Sequence, residues 1–379
     1  MKKNQNNLLA MSFLYSFGSA MVGVFFPFLV SNAFGFEIWQ LMIWLAGFNF
    51  AGFTLVYPVN KWLGKHFSIR QNLQIGLLFL AFFYLLISLA RDSVWIISLA
   101  SLFFTLGIYI FWPTYHLFNL HSTKNGKRGN FVGSMQAVFI SANVLAPLIS
   151  GFLLDKNLDS WVSLVAALSF GCAIYFSQKL EFPKYKLENF AKIWKFFKKK
   201  FIGQKILHIS LIDGIQGGVL WGIWPIFFKS ALAGFTQMGF MVAFSAITEI
   251  ISAKFFGKII DKKSAKKTLR YSAIVRFFDL GIRGLLFWWP TAIMAGIASF
   301  FAGFLGPVFN ISYYTRIIEI AEETPNKEFE FFITREWVLC FSRIFIYILA
   351  AILAFYFGEK SFVILLFVAA FASFGLRKS

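Results

Sequence analysis

Residues 8–30 read LLAMSFLYSFGSAMVGVFFPFLV and contain no charged side chain. A helix crosses the roughly 30 Å of a bilayer's hydrocarbon core with about 20 consecutive apolar residues. Lys2 and Lys3 stand just before this stretch, which is the charge order of a secretory signal, but the stretch is too long for one. The sequence therefore predicts a retained first membrane span.

The rest of the chain repeats this pattern. Of its 379 residues, 58% are hydrophobic and 14% are charged, a composition that cannot supply a water-facing surface. Apolar runs of about 20 residues indicate helices, because the strands of an outer-membrane barrel alternate over about 10 residues instead. The runs predict twelve spans, at residues 8–30, 38–60, 71–90, 93–117, 130–153, 160–178, 205–228, 236–257, 271–289, 291–314, 331–357 and 360–376. The predicted fold class is an all-α membrane protein with twelve transmembrane helices.

The basic residues set the predicted orientation. The net charge is +19, but the charges lie between apolar runs rather than on a soluble basic domain, which disfavours nucleic-acid binding. If the N-terminus is cytoplasmic, the outward segments hold only Arg91, Lys156, Lys229 and Lys360. Because cytoplasmic loops carry the excess of Lys and Arg, we expect a multi-pass protein of the cytoplasmic (inner) membrane with both termini in the cytoplasm.

A basic linker at residues 179–204 separates a first six-helix bundle, residues 1–178, from a second, residues 205–379. Apolar residues recur in the linker at steps of three and four, with lysines between them, at Leu187, Phe190, Trp194, Phe197 and Phe201. Such a pattern predicts an amphipathic helix on the anionic leaflet, with membrane lipids as its partners. A solvated charged linker is the alternative.

The two halves repeat each other with an offset of about 196 residues. Phe26-Pro27 in the first span falls near Trp224-Pro225 in the seventh, and Trp112-Pro113 in the fourth falls on Gly306-Pro307 in the tenth. Proline removes a backbone hydrogen bond and bends a helix, so paired prolines predict paired bends around a central cavity. For any single proline, a packing bend without a role in transport is the alternative.

The loop after the eighth span, GKIIDKKSAKK from residue 257, resembles the loop signature of the major facilitator superfamily. The resemblance implies a role in gating for Gly257, Asp261, Lys262, Lys266 and Lys267. The corresponding loop of the first half, residues 61–71, departs from the signature because Lys65 occupies the position of the acid.

The fifth span resembles the same superfamily in its small residues. The pattern of Gly133, Ala142, Ala146, Pro147, Ser150 and Gly151 is similar to the one that its proton-coupled exporters carry in this helix. Ordinary close packing of membrane helices is the alternative explanation. The resemblance implies two pseudo-symmetric six-helix bundles that rock around a site near the middle of the membrane.

Ionisable side chains inside spans are costly and are therefore candidate functional groups. Asp213, His116 and Glu249 are the candidates for proton coupling. For Asp213 the alternative is a fixed ion pair or a packing hydrogen bond, and for His116 it is an ordinary hydrogen-bonding role. Glu249 falls at a depth similar to that of Arg276 in the ninth span.

Two further groups of residues are singled out by their spacing and depth. Arg276, Asp279 and Arg283 share one helix face, as do Glu336 and Arg343, and we expect a structural charge network formed by Arg276, Asp279, Arg283, Arg335 and Glu336. The candidates for lining the cavity are Trp112, Asn310, Tyr313, Tyr314 and Arg343. Arg343 needs a partner, which is an anionic substrate, Glu336 or Asp279.

The predicted function is secondary active transport of a small solute, coupled to protons and directed outward. Phosphate-binding loops, nucleophile motifs and metal-ligand clusters are missing from the sequence, so we expect neither an enzyme nor a cofactor or metal. The alternatives are a proton-coupled importer of a sugar, peptide or metabolite, and a membrane receptor or scaffold that uses the same fold without transporting.

Overall fold

A computed structural model describes residues 2–89, 93–122, 128–181, 201–260, 265–324 and 327–378, and these residues form helices and short connections without a strand. Eleven of the described helical segments are long and apolar enough to cross a membrane. This confirms the predicted fold class of a multi-pass, all-α membrane protein.

The first-half spans follow the apolar runs. The first consists of two helices, Lys2–Val22 and Phe26–Phe34, and the others are Ile38–His66, Ile69–Leu89, Val94–Ser122, Arg128–Asp155 and Asp159–Ser177. The second span begins with a reciprocal cap, in which the side chain of Glu37 binds the backbone of Gln40 and the side chain of Gln40 binds the backbone of Glu37. Several helices extend past the predicted ends, because helical hydrogen bonding continues into polar residues.

The second half repeats the order. Its spans are Phe201–Gly218 continued by Trp224–Lys229, then Phe235–Ile260, Ala265–Gly284, Ala292–Glu322, Glu328–Phe357 and a twelfth built around Val363–Ala372. The seventh span begins at Phe201 rather than at residue 205. The ninth helix, Ala265–Gly284, is the one predicted span that is not apolar enough by composition, since it carries Arg276, Asp279 and Arg283. The predicted linker helix falls mainly on residues 182–200, which lie outside the described residues.

Corresponding irregular turns interrupt the first and seventh spans. A 3-10 turn at Gly23–Phe25 precedes Pro27, and a π-helical turn at Val219–Ile223 precedes Pro225. Proline has no N–H group and clashes with the carbonyl one turn earlier, which explains why both helices lose regular geometry at this point. In the fourth and tenth spans, Pro113 and Pro307 lie within continuous helices.

Packing inside each half follows the same scheme. In the first half, span one packs on span five, and span three packs on spans four and six. In the second half, span seven packs on span eleven, and span nine packs on spans ten and twelve. The halves meet along two seams, where span two packs on span eleven and span five on span eight. Side chains of span one bind span four, those of span four reach span eleven, and those of spans seven, ten and eleven bind one another.

Candidate functional site

A carboxylate of the seventh span holds side chains of two other spans. Oδ2 of Asp213 accepts a hydrogen bond of 2.6 Å from the hydroxyl of Tyr313 and one of 2.8 Å from Nη2 of Arg335. The side chain of Asp213 is 21% exposed, whereas that of Arg335 is 6% exposed. A buried charge is stable only when it is paired, so this carboxylate and this guanidinium depend on each other.

Arg335 also binds the residue that follows it. Its Nη1 donates to Oε1 of Glu336 at 2.7 Å, and both side chains are buried. Its Nε is buried and has no hydrogen-bond partner among the described residues. One guanidinium thus faces two carboxylates, from spans seven and eleven.

His116 connects this group to the first half of the chain. Nη1 of Arg335 lies 3.4 Å from Nε2 of His116, with the ring nitrogen as the acceptor. The imidazole is stacked on Trp112 and on Phe332, with ring centroids 5.3 Å away in each case. Span four of the first half is therefore bonded, through His116, to the charged group of the second half.

Arg343 lies two helical turns beyond Glu336 in span eleven. A Cβ atom at Gly217 of the seventh span would be 3.3 Å from Nη2 of Arg343, so the glycine leaves room for the guanidinium. Within the described residues Arg343 forms no ion pair with Glu336 or Asp279, the two protein partners expected for it. Tyr314, expected in the cavity, is 43% exposed and its ring is 6.3 Å from that of His116.

A separate cleft of about 420 Å³ lies beside the interrupted turns of spans one and seven. Residues of spans eight, nine and ten close it, and Glu249 and Asn310 are among them. The structure therefore places Glu249 in this cleft and not with Asp213 and His116.

The five charges expected to form one network belong to two groups. In the ninth helix, Nη1 of Arg276 is 2.7 Å from Oδ2 of Asp279, and Nε of Arg283 is 3.0 Å from Oδ1 of Asp279. Arg335 and Glu336 belong instead to the group around Asp213. Gln216 of the seventh span binds the ninth-helix group, since its Oε1 accepts a hydrogen bond of 3.4 Å from Nε of Arg276.

Comparison with known proteins identifies the family of this chain. The family model of the Major Facilitator Superfamily matches residues 8–328. The chain belongs to the Major Facilitator Superfamily. It is also 22% identical over 356 residues to the uncharacterized protein YqgE of Bacillus subtilis (strain 168), a match that covers 89% of this chain and 79% of that protein.

Solved structures of transporters share the superfamily fold. A POT family transporter in complex with a thioalcohol conjugated peptide superposes with a TM-score of 0.73 at 10% identity, covering 97% of this chain and 94% of that chain. A point mutant of the nucleoside transporter NupG gives a TM-score of 0.69 at 14% identity, over 99% and 98% of the two chains. The human organic anion transporter MFSD10 gives a TM-score of 0.65 at 10% identity, covering 98% of this chain and 99% of that chain. Family and fold together support a secondary transporter.

The small residues of span five lie at a seam between the halves of this superfamily member. A Cβ atom at Gly151 would overlap the carbonyl oxygen of Phe235, and one at Gly239 would overlap that of Pro147. Ala142, Ala146 and Ser150 are fully buried, and the surroundings of Gly133 are not described. Close contact with span eight is thus a sufficient physical reason for Gly151, whereas the hydroxyl of Ser150 contacts Met21 of span one.

The superfamily loop after span eight is described only in part. Asp261 and Lys262 lie outside the described residues, as do the side-chain surroundings of Gly257 and Lys266, and Lys267 is exposed. The expected role of this loop in gating stays a prediction.

Sequence analysis missed an acid at the opposite end of this superfamily member. Oδ1 and Oδ2 of Asp155, the last residue of span five, accept hydrogen bonds of 2.8 Å from the backbone N–H groups of Phe235 and Thr236. Asp155 follows an apolar run, as loop charges commonly do, and its partners are backbone groups. No sequence pattern marks such a contact.

Proposed function

We propose that this chain is a proton-coupled secondary active transporter, in which Asp213 takes up and releases the proton. The halves at residues 1–178 and 205–379 are the two units that rock. The observation that carries the proposal is the set of bonds around Asp213. It binds Tyr313 and Arg335, and Arg335 reaches His116 in the other half.

This geometry links a proton to a contact between the halves. A proton on Asp213 removes the negative charge that holds Nη2 of Arg335, while Glu336 still holds Nη1. Held by Glu336 alone, the guanidinium turns about Nη1, and this rotation changes the direction from which Nη1 faces Nε2 of His116. A group whose protonation changes a contact between two rocking halves biases their equilibrium, which is what coupled transport requires.

Export is the direction to which the small-residue pattern of span five points, and proton-coupled import is the alternative. Packing against span eight explains part of that pattern. The direction of transport must therefore be read from the transport assay itself. A receptor or scaffold on the same fold is the alternative from another class. In the proposed topology, both termini lie in the cytoplasm and the membrane is the cytoplasmic one.

The test uses the purified protein in liposomes that enclose a pH-sensitive dye. A proton gradient is imposed and pools of small solutes are added to wild type, to Asp213→Asn and to the control Glu319→Gln. Glu319 is a matched carboxylate, 39% exposed, that pairs with Arg316 on span ten. We expect solute-dependent proton movement in wild type and the control, and its loss in Asp213→Asn.

Three other outcomes are informative. Proton movement that persists in Asp213→Asn contradicts the assignment of the coupling group. Solute uptake driven by the gradient, in place of efflux, selects import. If no pool evokes a response, cysteines placed at the two ends of the bundle should still become accessible to a labelling reagent in alternation, without substrate. If they do not, the result favours the receptor or scaffold.

A further inference from the structure

The cleft beside the interrupted turns of spans one and seven contains two arginine side chains that share one acid. Arg276 and Arg283 both line it, and their side chains are 9% and 11% exposed. Oδ1 of Asp279 accepts from Arg283, and Oδ2 accepts from Arg276 at 2.7 Å and from Arg283 at 3.4 Å. Both oxygens of the acid are engaged, and Asp279 offsets only one of the two positive charges.

Each guanidinium keeps a nitrogen for another partner. Within the described residues, neither Nη2 of Arg276 nor Nη1 of Arg283 donates a hydrogen bond. A cationic donor in the interior of a membrane protein is costly unless an acceptor reaches it. An anion in the cleft would supply that acceptor.

The walls of the cleft suit the rest of such a ligand. Trp221, Trp224 and Phe228 provide aromatic surface, and Gly23 and Gly306 leave space on the other walls. A volume of about 420 Å³ is in the range that holds a small organic molecule. The ring of Trp224 is also 5.0 Å from the guanidinium carbon of Arg283, which holds that side chain in place.

We propose that this cleft binds a small organic anion, with its single negative charge on Arg276 and Arg283 and its aromatic or apolar body against Trp221 and Trp224. That this anion is the transported solute rests on the proposed function. That it binds to the cleft does not depend on that function. Glu249 lines the same cleft, so its charge opposes the anion.

The test measures binding to the purified protein in detergent, without a gradient, by the quenching of tryptophan fluorescence and by calorimetry. Three probes share one ring and differ in charge: 3-phenylpropionate is an anion, phenylalanine a zwitterion and 2-phenylethylamine a cation. We expect 3-phenylpropionate to bind most tightly and 2-phenylethylamine least. Preference for phenylalanine or 2-phenylethylamine, or no binding of any probe, would overturn the proposal.

Variants locate the site. Arg283→Gln removes one guanidinium, and the loss of a charged hydrogen bond should weaken 3-phenylpropionate binding about tenfold or more. Glu249→Gln removes the opposing charge and should strengthen the binding of 3-phenylpropionate. In a site built for a zwitterion, the same change would weaken the binding of phenylalanine. Arg343→Gln tests an arginine outside this cleft, and loss of binding there, with Arg283→Gln unaffected, would overturn the assignment to this cleft.

A blocking variant keeps the test valid if the arginine variants do not fold. A Cβ atom at Gly306 would meet no atom within 4 Å, so the side chain of Gly306→Leu can enter the cleft without displacing its walls. We expect this variant to fold and to lose 3-phenylpropionate binding. A folded Gly306→Leu protein that binds the probe as wild type does would contradict the proposal. If wild type binds 3-phenylpropionate in this cleft but transports no solute in the liposome assay, the result counts against the proposed function alone.

Discussion

Asp155 and Thr236 are joined by a hydrogen bond of 2.8 Å that crosses from the first half of the chain to the second. The N–H groups in the first turn of a helix have no partners within that helix, so the carboxylate of span five caps span eight. A Cβ atom at Gly234 would lie 2.8 Å from Oδ2 of Asp155, which explains why the close approach needs glycine there. Opening of this end of the bundle must break the cap.

The first prediction is that Asp155→Asn shifts the halves toward opening at this end. The loss of a charged cap costs about 1 kcal/mol, which corresponds to roughly a fivefold change in the ratio of closed to open states. Spin labels on the ends of spans five and eight would report the distance distribution. Asp159→Asn is the control, because Asp159 lies one turn of chain away and its carboxylate interacts with Asn32 of its own half. Equal shifts in the two variants would show that the cap is not responsible.

The second prediction concerns the seam that lies next to this cap. Gly239→Ala places a methyl group against the carbonyl of Pro147 and should lower stability by about 1–3 kcal/mol, as overpacking does. Gly281→Ala is the control, because its Cβ would meet nothing within 4 Å and alanine favours the helix. Apparent melting temperatures in detergent compare the two. A melting temperature for Gly239→Ala at or above that of wild type would mean that the seam can separate without cost.

Much of the fold could be predicted from the sequence, because crossing a bilayer demands long apolar runs. The ninth helix shows the limit of that argument. Its charged residues lower the apolar content, yet Asp279 pairs with Arg276 and Arg283 one turn away on either side. Spacing along one helix is visible in a sequence, so this group was within reach of sequence analysis.

The site around Asp213 shows what spacing cannot reveal. Asp213, Tyr313 and Arg335 were each singled out, but they belong to three spans, and Asp213 is 100 residues from Tyr313 and 122 from Arg335. Only the packing of spans seven, ten and eleven brings them together. For the same physical reason, sequence analysis joined Arg335 to the ninth-helix charges and left Asp155 unnoticed.

The third prediction is that Tyr313→Phe impairs proton-linked transport without abolishing it. The change removes the hydroxyl that donates to Asp213 at 2.6 Å and leaves the bond from Arg335 in place. One hydrogen bond to a charged group accounts for about a tenfold change, so we expect a rate lowered by about that factor in the liposome assay. Tyr356→Phe, at an exposed ring near the end of span eleven, is the control. An unchanged rate in Tyr313→Phe would remove this hydroxyl from the coupling path.

The fourth prediction is that Asp279→Asn destabilises the protein strongly. The acid is buried between Arg276 and Arg283, and its removal leaves two cations without their carboxylate, a loss of about 3–5 kcal/mol. The apparent melting temperature should fall, and Arg283→Gln in the same protein should restore part of it by removing one of the unpaired charges. Glu319→Gln is the control, because its pair with Arg316 is partly exposed and such pairs contribute about 0–1 kcal/mol.

The same variant connects stability to the cleft. With Asp279 neutral, the two guanidiniums have more need of an acceptor, so 3-phenylpropionate should raise the melting temperature of Asp279→Asn by more than it raises that of wild type. The cation 2-phenylethylamine, which carries the opposite charge, should give no such gain. A melting temperature of Asp279→Asn equal to that of wild type would mean that the two arginines find other acceptors. In that case neither guanidinium needs an acceptor from the cleft, and the anion has no reason to bind.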